Sequence, residues 1–130
     1  MIAPGAGLWF PDDDVGSGGH YHIIISDPQA FPDRVVLVNL TTWEDYKDDT
    51  CVLESADDLP FLRHKSCIDY GRAKQVSAAA LCTFLKEKRI HHRGHLPADI
   101  LARVRQGAAE SRHIPNRFLL ILEEQGIIQF

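Results

Sequence analysis

The segment Arg34-Val35-Val36-Leu37-Val38-Asn39-Leu40 constrains the fold more than any other in the chain. Side chains of a strand alternate between two faces, and here both faces are apolar. A strand with no face left for water belongs in the middle of a sheet. Shorter runs of similar character surround it. Leu8-Trp9-Phe10 reads as a first strand. His20 to Ser26 reads as a second, rich in β-branched and aromatic residues and ended by Asp27-Pro28. Thr50 to Leu53, Lys65 to Tyr70 and Ala73 to Val76 read as three more, the last two separated by Gly71. Pro11 to Gly19 and the polar stretch Trp43 to Asp49 read as loops, with turns at Pro32-Asp33 and at Asp57 to Pro60. Strands that follow one another without intervening helices argue against a parallel sheet and for a small barrel or sandwich.

The pattern changes at Ser77, a suitable cap for a helix whose core face is Leu81, Phe84 and Leu85 and whose end is expected near Arg89. His91 to His95, with Gly94, reads as a linker. Pro97 suits the first turn of a second helix, with Ile100, Leu101, Val104 and Ala108 on one stripe. Pro115 opens a third, carrying Phe118, Leu119, Ile121 and Leu122; Gly126 stops it, and an apolar tail follows at Ile127 to Phe130. The expectation is one α+β domain: a small, strongly bent antiparallel sheet over residues 1–76, then two or three helices over 77–130.

With 130 residues, 45% of them hydrophobic, the chain can bury a real core, which excludes disordered and collagen-like classes. No run of about 18 apolar residues is present, and Met1 to Gly7 carries no charged and apolar leader, so the protein is expected in the cytoplasm. Cys51, Cys67 and Cys82 are widely spaced and form no CxxC pair; they read as reduced thiols rather than zinc ligands. The net charge of −4 conceals an asymmetry. Residues 1–60 hold Arg34 and Lys47 against twelve acids, a balance of −10, whereas residues 61–130 balance at +6. The cations crowd between Arg63 and Arg93, a density that can neutralise phosphates or can be a solvated face.

Four constellations could carry chemistry. His20 and His22 fall on one face of a strand, where two imidazoles can act as acid and base or hold a metal; they can equally be structural. Thr41 and Thr42 close the most buried strand, and hydroxyls there can donate to phosphate oxygens or simply cap a turn. Arg63-His64-Lys65-Ser66 sets two cations, an imidazole and a hydroxyl side by side. These are the parts that metal-free RNA cleavage requires: a proton acceptor and donor, and a positive charge for the phosphorane. In Asp69-Tyr70-Gly71-Arg72, Tyr70 could stack on a base and Arg72 hold a phosphate, with a core tyrosine as the alternative. GxGxxG, the P-loop, GxSxG, HExxH and the EF-hand loop are all absent.

The order of these segments over residues 7–76 resembles the PemK/MazF-like toxins of bacterial type II toxin–antitoxin systems. Gly7-Leu8-Trp9-Phe10 looks like the family's Gly-x-hydrophobic-Trp first strand. Ile23 to Asp27, followed by Phe31, is similar to its apolar strand ending in Ser and a polar residue. Val36 to Thr42 resembles the strand that ends in Thr-Ser, and Leu62, Lys65-Ser66 and Asp69 to Arg72 look like the segment after it. The Arg-Pro pair that usually enters the second strand is replaced by the neighbourhood of His20 and His22, and the preceding loop is acidic at Asp12 to Asp14. The resemblance implies an SH3-like barrel, usually dimeric, that cuts RNA without metal or other cofactor and is held by a cognate antitoxin. The centre would then be rebuilt around His22, Thr42, His64 and Ser66, with His20, Thr41, Arg63, Lys65, Tyr70 and Arg72 on the RNA. Two other readings remain open: a non-catalytic protein or nucleic-acid interaction module, for which Gln125-x-x-Ile128-x-Phe130 resembles a sliding-clamp peptide, and a metal-dependent hydrolase using His20, His22 and an acid or His64.

Overall fold

The computed structural model describes residues 2–11, 19–54 and 64–129. Among them are β1 (Ala6–Phe10), β2 (His20–Ile24), β3 (Val35–Thr42), β4 (Val52–Leu53), β5 (Ser66–Val76), α1 (Ala78–Lys86), β6 (His91–His95), α2 (Ala98–Glu110) and α3 (Asn116–Glu124). The strands form one curled antiparallel half-barrel in the order β4-β5-β3-β2-β1-β6. The α+β architecture expected from the strand and helix patterns is present.

β3 is central, and its alternation divides the core in two. Val36, Val38 and Leu40 join Ile23, Ile68 and Tyr70 in a layer closed by Ile100, Leu101 and Val104 of α2 and by Phe118, Ile121 and Leu122 of α3. Val35 and Leu37 join Leu8 and Ile24 in a second layer closed by Leu81 of α1 and by Ile90. Helices on both sides of the sheet explain why β3 carries no polar face over most of its length. Ser77 caps α1, its Oγ accepting from the Ala80 N–H at 3.0 Å, and the helix ends at Lys86, three residues short of Arg89.

Three readings of the sequence are corrected. His91 to His95 is a strand rather than a linker: β6 pairs with β1, setting His91 against Trp9 and His92 against Leu8. Its side chains are partly or fully exposed, so they carry no hydrophobic alternation from which a strand could be read. One strand therefore follows α1, and the helical part is not purely helical. Second, the runs on either side of Gly71 are one eleven-residue strand. Asn39 pairs with Asp69 but Leu37 pairs with Lys74, so the residues between form a bulge. Third, Ile127 and Ile128 of the tail pack in the core, while Phe130 lies outside the described residues. Ile128 is buried, and the Gln125 side chain accepts from Asp27 N–H at 3.3 Å and donates to the Arg34 carbonyl at 2.9 Å. No helix among the described residues is long and apolar enough to cross a membrane.

Tyr70 alternates with Ile68 into the layer under α2 and α3, where it is fully buried and its hydroxyl donates to the Val104 carbonyl of α2 at 2.6 Å. Gly107, one turn further along α2, leaves room for it: a Cβ there would collide with the Tyr70 hydroxyl and lie 3.1 Å from Cys51 Cβ. Alanine would favour the helix by roughly 1 kcal/mol, but overpacking costs typically about 1–3 kcal/mol. Gly107→Ala should therefore lower stability by about 1–2 kcal/mol in denaturant unfolding. Adding Tyr70→Phe should make the loss less than additive, because the two changes share one contact; strict additivity would contradict the packing described.

Candidate active site

β3 outlasts the core by two residues. Thr41 is half-buried and Thr42 exposed, and Thr42 pairs in register with Ser66 of β5. The Trp43 N–H donates to the Lys65 carbonyl at 3.0 Å, which holds the two chain segments together beyond the last ladder pair. This pairing brings His64 against Thr42: Oγ1 and Nε2 are 2.8 Å apart, a hydrogen bond between side chains that both face solvent. Ser66 is buried, and its Oγ donates to the His64 carbonyl at 3.1 Å, so it positions His64 and does not face the surface itself.

Lys47 completes the corner. Its Nζ donates to the Thr42 carbonyl at 2.8 Å and to Thr41 Oγ1 at 3.1 Å. The loop bearing Lys47 is anchored by Asp48, which accepts from the Thr50 N–H at 3.0 Å and from Ser111 Oγ at 2.8 Å, just past α2. Burial works to raise the Asp48 carboxyl, but the hydrogen bonds from Thr50 and Ser111 outweigh it and hold the group below its ordinary range. Lys65 Nζ lies 5.3 Å from the centroid of the Trp43 ring and 3.8 Å from Glu54. The Tyr46 ring is 80% exposed, with Lys47 Nζ 5.9 Å from its centroid. Imidazole, two hydroxyls, two ammonium groups and two aromatic rings thus occupy one rim of the sheet.

Thr41, Thr42, His64 and Lys65 are brought together, with Ser66 beneath them. Arg63 lies outside the described residues. Arg72 is exposed on the bulge, its Nε 3.5 Å from Asp69 Oδ2. Tyr70 is a core tyrosine and has no surface to stack on a base. His22 is also corrected. It faces Leu8 and Asn39 in register, on the side of the sheet covered by α1, whereas Thr42 alternates to the other side with Leu40. It is 3% exposed, its ring 4.4 Å from that of Phe10. His22 Nδ1 and Asn39 Oδ1, neighbours across two strands, both lack a hydrogen-bond partner among the described residues. Burial, with the nearby Lys74 charge adding to it, pushes the imidazole down to about 4. His22 therefore does not join His64. His20, half-buried, pairs with Phe10 on the same face as His22. Among the described residues no three His, Cys, Asp or Glu side chains are grouped to hold a metal ion. Cys67 is fully buried, and burial pushes its thiol up to about 11, which leaves it a poor nucleophile at neutral pH.

Lys47, Trp43 and Tyr46 were hidden in a stretch read as a polar loop. The available signal was Lys47 itself, one of only two cations in the first sixty residues, with aromatic residues interleaved beside it.

No protein-family model matches the sequence, and no curated protein matches it. Among solved structures the chain is similar to an endoribonuclease in complex with its cognate antitoxin from mycobacterial species. The TM-score is 0.55 at 14% identity, over 88% of this chain and 98% of that one. The likeness is one of fold.

His22 makes stability depend on pH with a definite sign. Its ordinary value of 6.5 applies in the unfolded chain and about 4 in the folded one. Between these values only the unfolded chain takes up a proton, so stability falls as pH drops through that window. At roughly 1.4 kcal/mol per pH unit the loss from pH 7 to pH 4.5 should be about 2–3 kcal/mol. His22→Leu should flatten the curve by that amount relative to wild type in denaturant titrations at the two pH values. Parallel curves would show that His22 is not buried as a neutral ring.

Proposed function

We propose that this chain is an endoribonuclease of toxin–antitoxin type that cuts single-stranded RNA at the Thr42–His64 corner without a metal. The observation that carries this is the 2.8 Å Thr42 Oγ1 to His64 Nε2 pair on the open rim of the sheet, with Lys47 and Lys65 beside it. The fold likeness to an antitoxin-bound endoribonuclease favours the class, and the segment order over residues 7–76 favours the PemK/MazF-like branch of it. Phosphodiester cleavage in RNA needs little from the protein, because the substrate carries its own nucleophile. His64 accepts the 2′-hydroxyl proton. The 2′-oxygen bonds to phosphorus as the bond to the 5′-oxygen breaks, and solvent protonates the leaving oxygen, giving a 2′,3′-cyclic phosphate and a 5′-hydroxyl. The Thr42 hydroxyl donates to a non-bridging oxygen, and the Lys47 and Lys65 charges stabilise the phosphorane. Trp43 and Tyr46 offer faces on which flanking bases stack. A cognate antitoxin covers this rim when cleavage must be suppressed, and a second copy of the chain completes a homodimer.

Purified protein incubated with a long mixed-sequence RNA in EDTA should give discrete cuts. His64→Ala should reduce the rate about 10²–10³-fold, in the range typical for losing a general base, and Thr42→Val by about 10-fold or more, at roughly 1.4 kcal/mol per decade. Full activity in His64→Ala, or loss of all cuts on chelation, would overturn the assignment; folded protein that binds RNA without cutting would identify an interaction module.

A further inference from the structure

Beside the Thr42–His64 corner lies a concavity of about 250 Å³. Thr41 and Lys47 belong to both places. Its other polar groups come from distant parts of the chain: Asp48 from the anchored loop, Asp69 from β5, and His113 from the turn between α2 and α3. The Cys67 side chain lines it as a neutral group, and Gly71 adds no side chain, so a Cβ placed there would stand 3.5 Å from Asp69 Oδ1 and 3.7 Å from His113 Cβ.

Its size is below the roughly 300–1,000 Å³ of sites for drug-sized ligands, so it admits one ring system and not a whole nucleotide. Its charge argues against phosphate. The carboxylates of Asp48 and Asp69 balance the charges of Lys47 and of Arg72, which reaches Asp69 at 3.5 Å, so no excess positive charge is left for a phosphate there, whereas the rim at His64 carries the Lys65 ammonium. What fits is a neutral ring rich in N–H donors. The Asp48 carboxylate is already engaged by Thr50 and Ser111. Among the described residues Asp69 has the long 3.5 Å contact from Arg72, and its side chain is 33% exposed. Lys47 spends two of its three donors on Thr41 and Thr42, leaving one. The site therefore offers a carboxylate able to accept two hydrogen bonds and, beside it, one ammonium donor. Among RNA bases only guanine presents two adjacent parallel N–H groups, at N1 and N2, next to an acceptor, O6. Adenine and cytosine offer a single amino group next to a ring-nitrogen acceptor, and uracil places a carbonyl on each side of its one N–H.

From this juxtaposition we infer that the concavity is a base-recognition pocket for guanine, with Asp69 as its specificity-determining acceptor and Lys47 as donor to O6. The inference rests on the ribonuclease reading, since it places a guanine next to the phosphate held at Thr42 and His64. Tyr46, whose ring is open to solvent, stands at the pocket as a stacking surface.

The test is equilibrium binding of the full chain to four 2′-O-methyl trinucleotides, UGU, UAU, UCU and UUU, which cannot be cleaved. UGU should bind tightest, by about 10-fold or more, the scale of one good bidentate contact. Asp69→Asn should remove that preference while changing affinity for the other three less than twofold. Gly71→Leu, which places a side chain at the pocket and leaves every polar group intact, should remove it as well, with thermal melting confirming that both variants are folded. Equal binding of all four by wild type, or a guanine preference that survives both substitutions, would overturn the pocket and leave the RNA reading standing. No binding of any trinucleotide at low salt would overturn both.

Discussion

β3 is buried on both faces, and the rest of the structure is arranged to make that possible. A strand with Val35, Val36, Leu37 and Val38 all inaccessible needs a paired strand on each edge and a helical layer on each side. β2 and β5 supply the edges; α1 covers one side, and α2 with α3 cover the other. Burial fixes register as well, because a one-residue slip would carry every apolar side chain to the wrong layer. The functional consequence appears at the end of the strand. Thr41 and Thr42 continue the ladder past the last core residue, so their hydroxyls stand at the rim on a backbone already held rigid by the core. That is the preorganisation a site acting through positioning and electrostatics requires.

Charge is distributed to match. The acidic first half of the chain contributes Lys47, and the hydrogen bonds of that lysine to Thr41 and Thr42 draw its loop onto the rim. Asp48 ties the same loop to the residue following α2, so the helical layer and the rim are joined through adjacent residues. The two sides of Lys47 then differ in chemistry. Towards His64 stands the Lys65 ammonium, a donor suited to a phosphate. Towards Asp48 and Asp69 stand carboxylate oxygens, acceptors suited to N–H groups. A nucleotide has the same polarity, with a charged phosphate at one end and a base with N–H groups at the other.

Much of the architecture was legible because it depends on short-range apolar pattern: the central strand, the α+β class, the Ser77 cap and the stripe of Ile100, Leu101, Val104 and Ala108. β6 was not, because an edge strand of His and Arg has no buried face to impose alternation, and what makes it a strand is hydrogen bonding to β1. The bulge in β5 was read as a break for a related reason: Gly71 marks where the ladder is disrupted, and continuity depends on β3 on the other side. In the site, adjacency along the chain was a good guide where the chain is extended and paired, at Thr41-Thr42 and His64-Lys65-Ser66. It failed for His22 and Tyr70, which are chemically capable but buried, one under α1 and the other against α2. Pattern along one strand shows that two side chains share a face; whether that face meets water is decided by elements far away in sequence.

The burial of His22 also bears on how such a centre can work. Under the proposed reading, acid and base duties do not fall to a His22–His64 pair, because His22 is buried away from the Thr42 corner. In the proposed reading the rim offers an imidazole, two hydroxyls and two ammonium groups, which weights transition-state stabilisation toward charge. Electrostatic stabilisation of this kind depends on donors that do not reorganise as charge develops. Three contacts position these parts: the Thr42 backbone pairs with Ser66 of β5, Asp48 anchors the loop that carries Lys47, and Ser66 Oγ donates to the His64 carbonyl. The likeness to the solved endoribonuclease, at 14% identity, is one of fold, and function resides in the site and not in the sheet. What the fold contributes is the exit of a buried, paired strand onto an open rim.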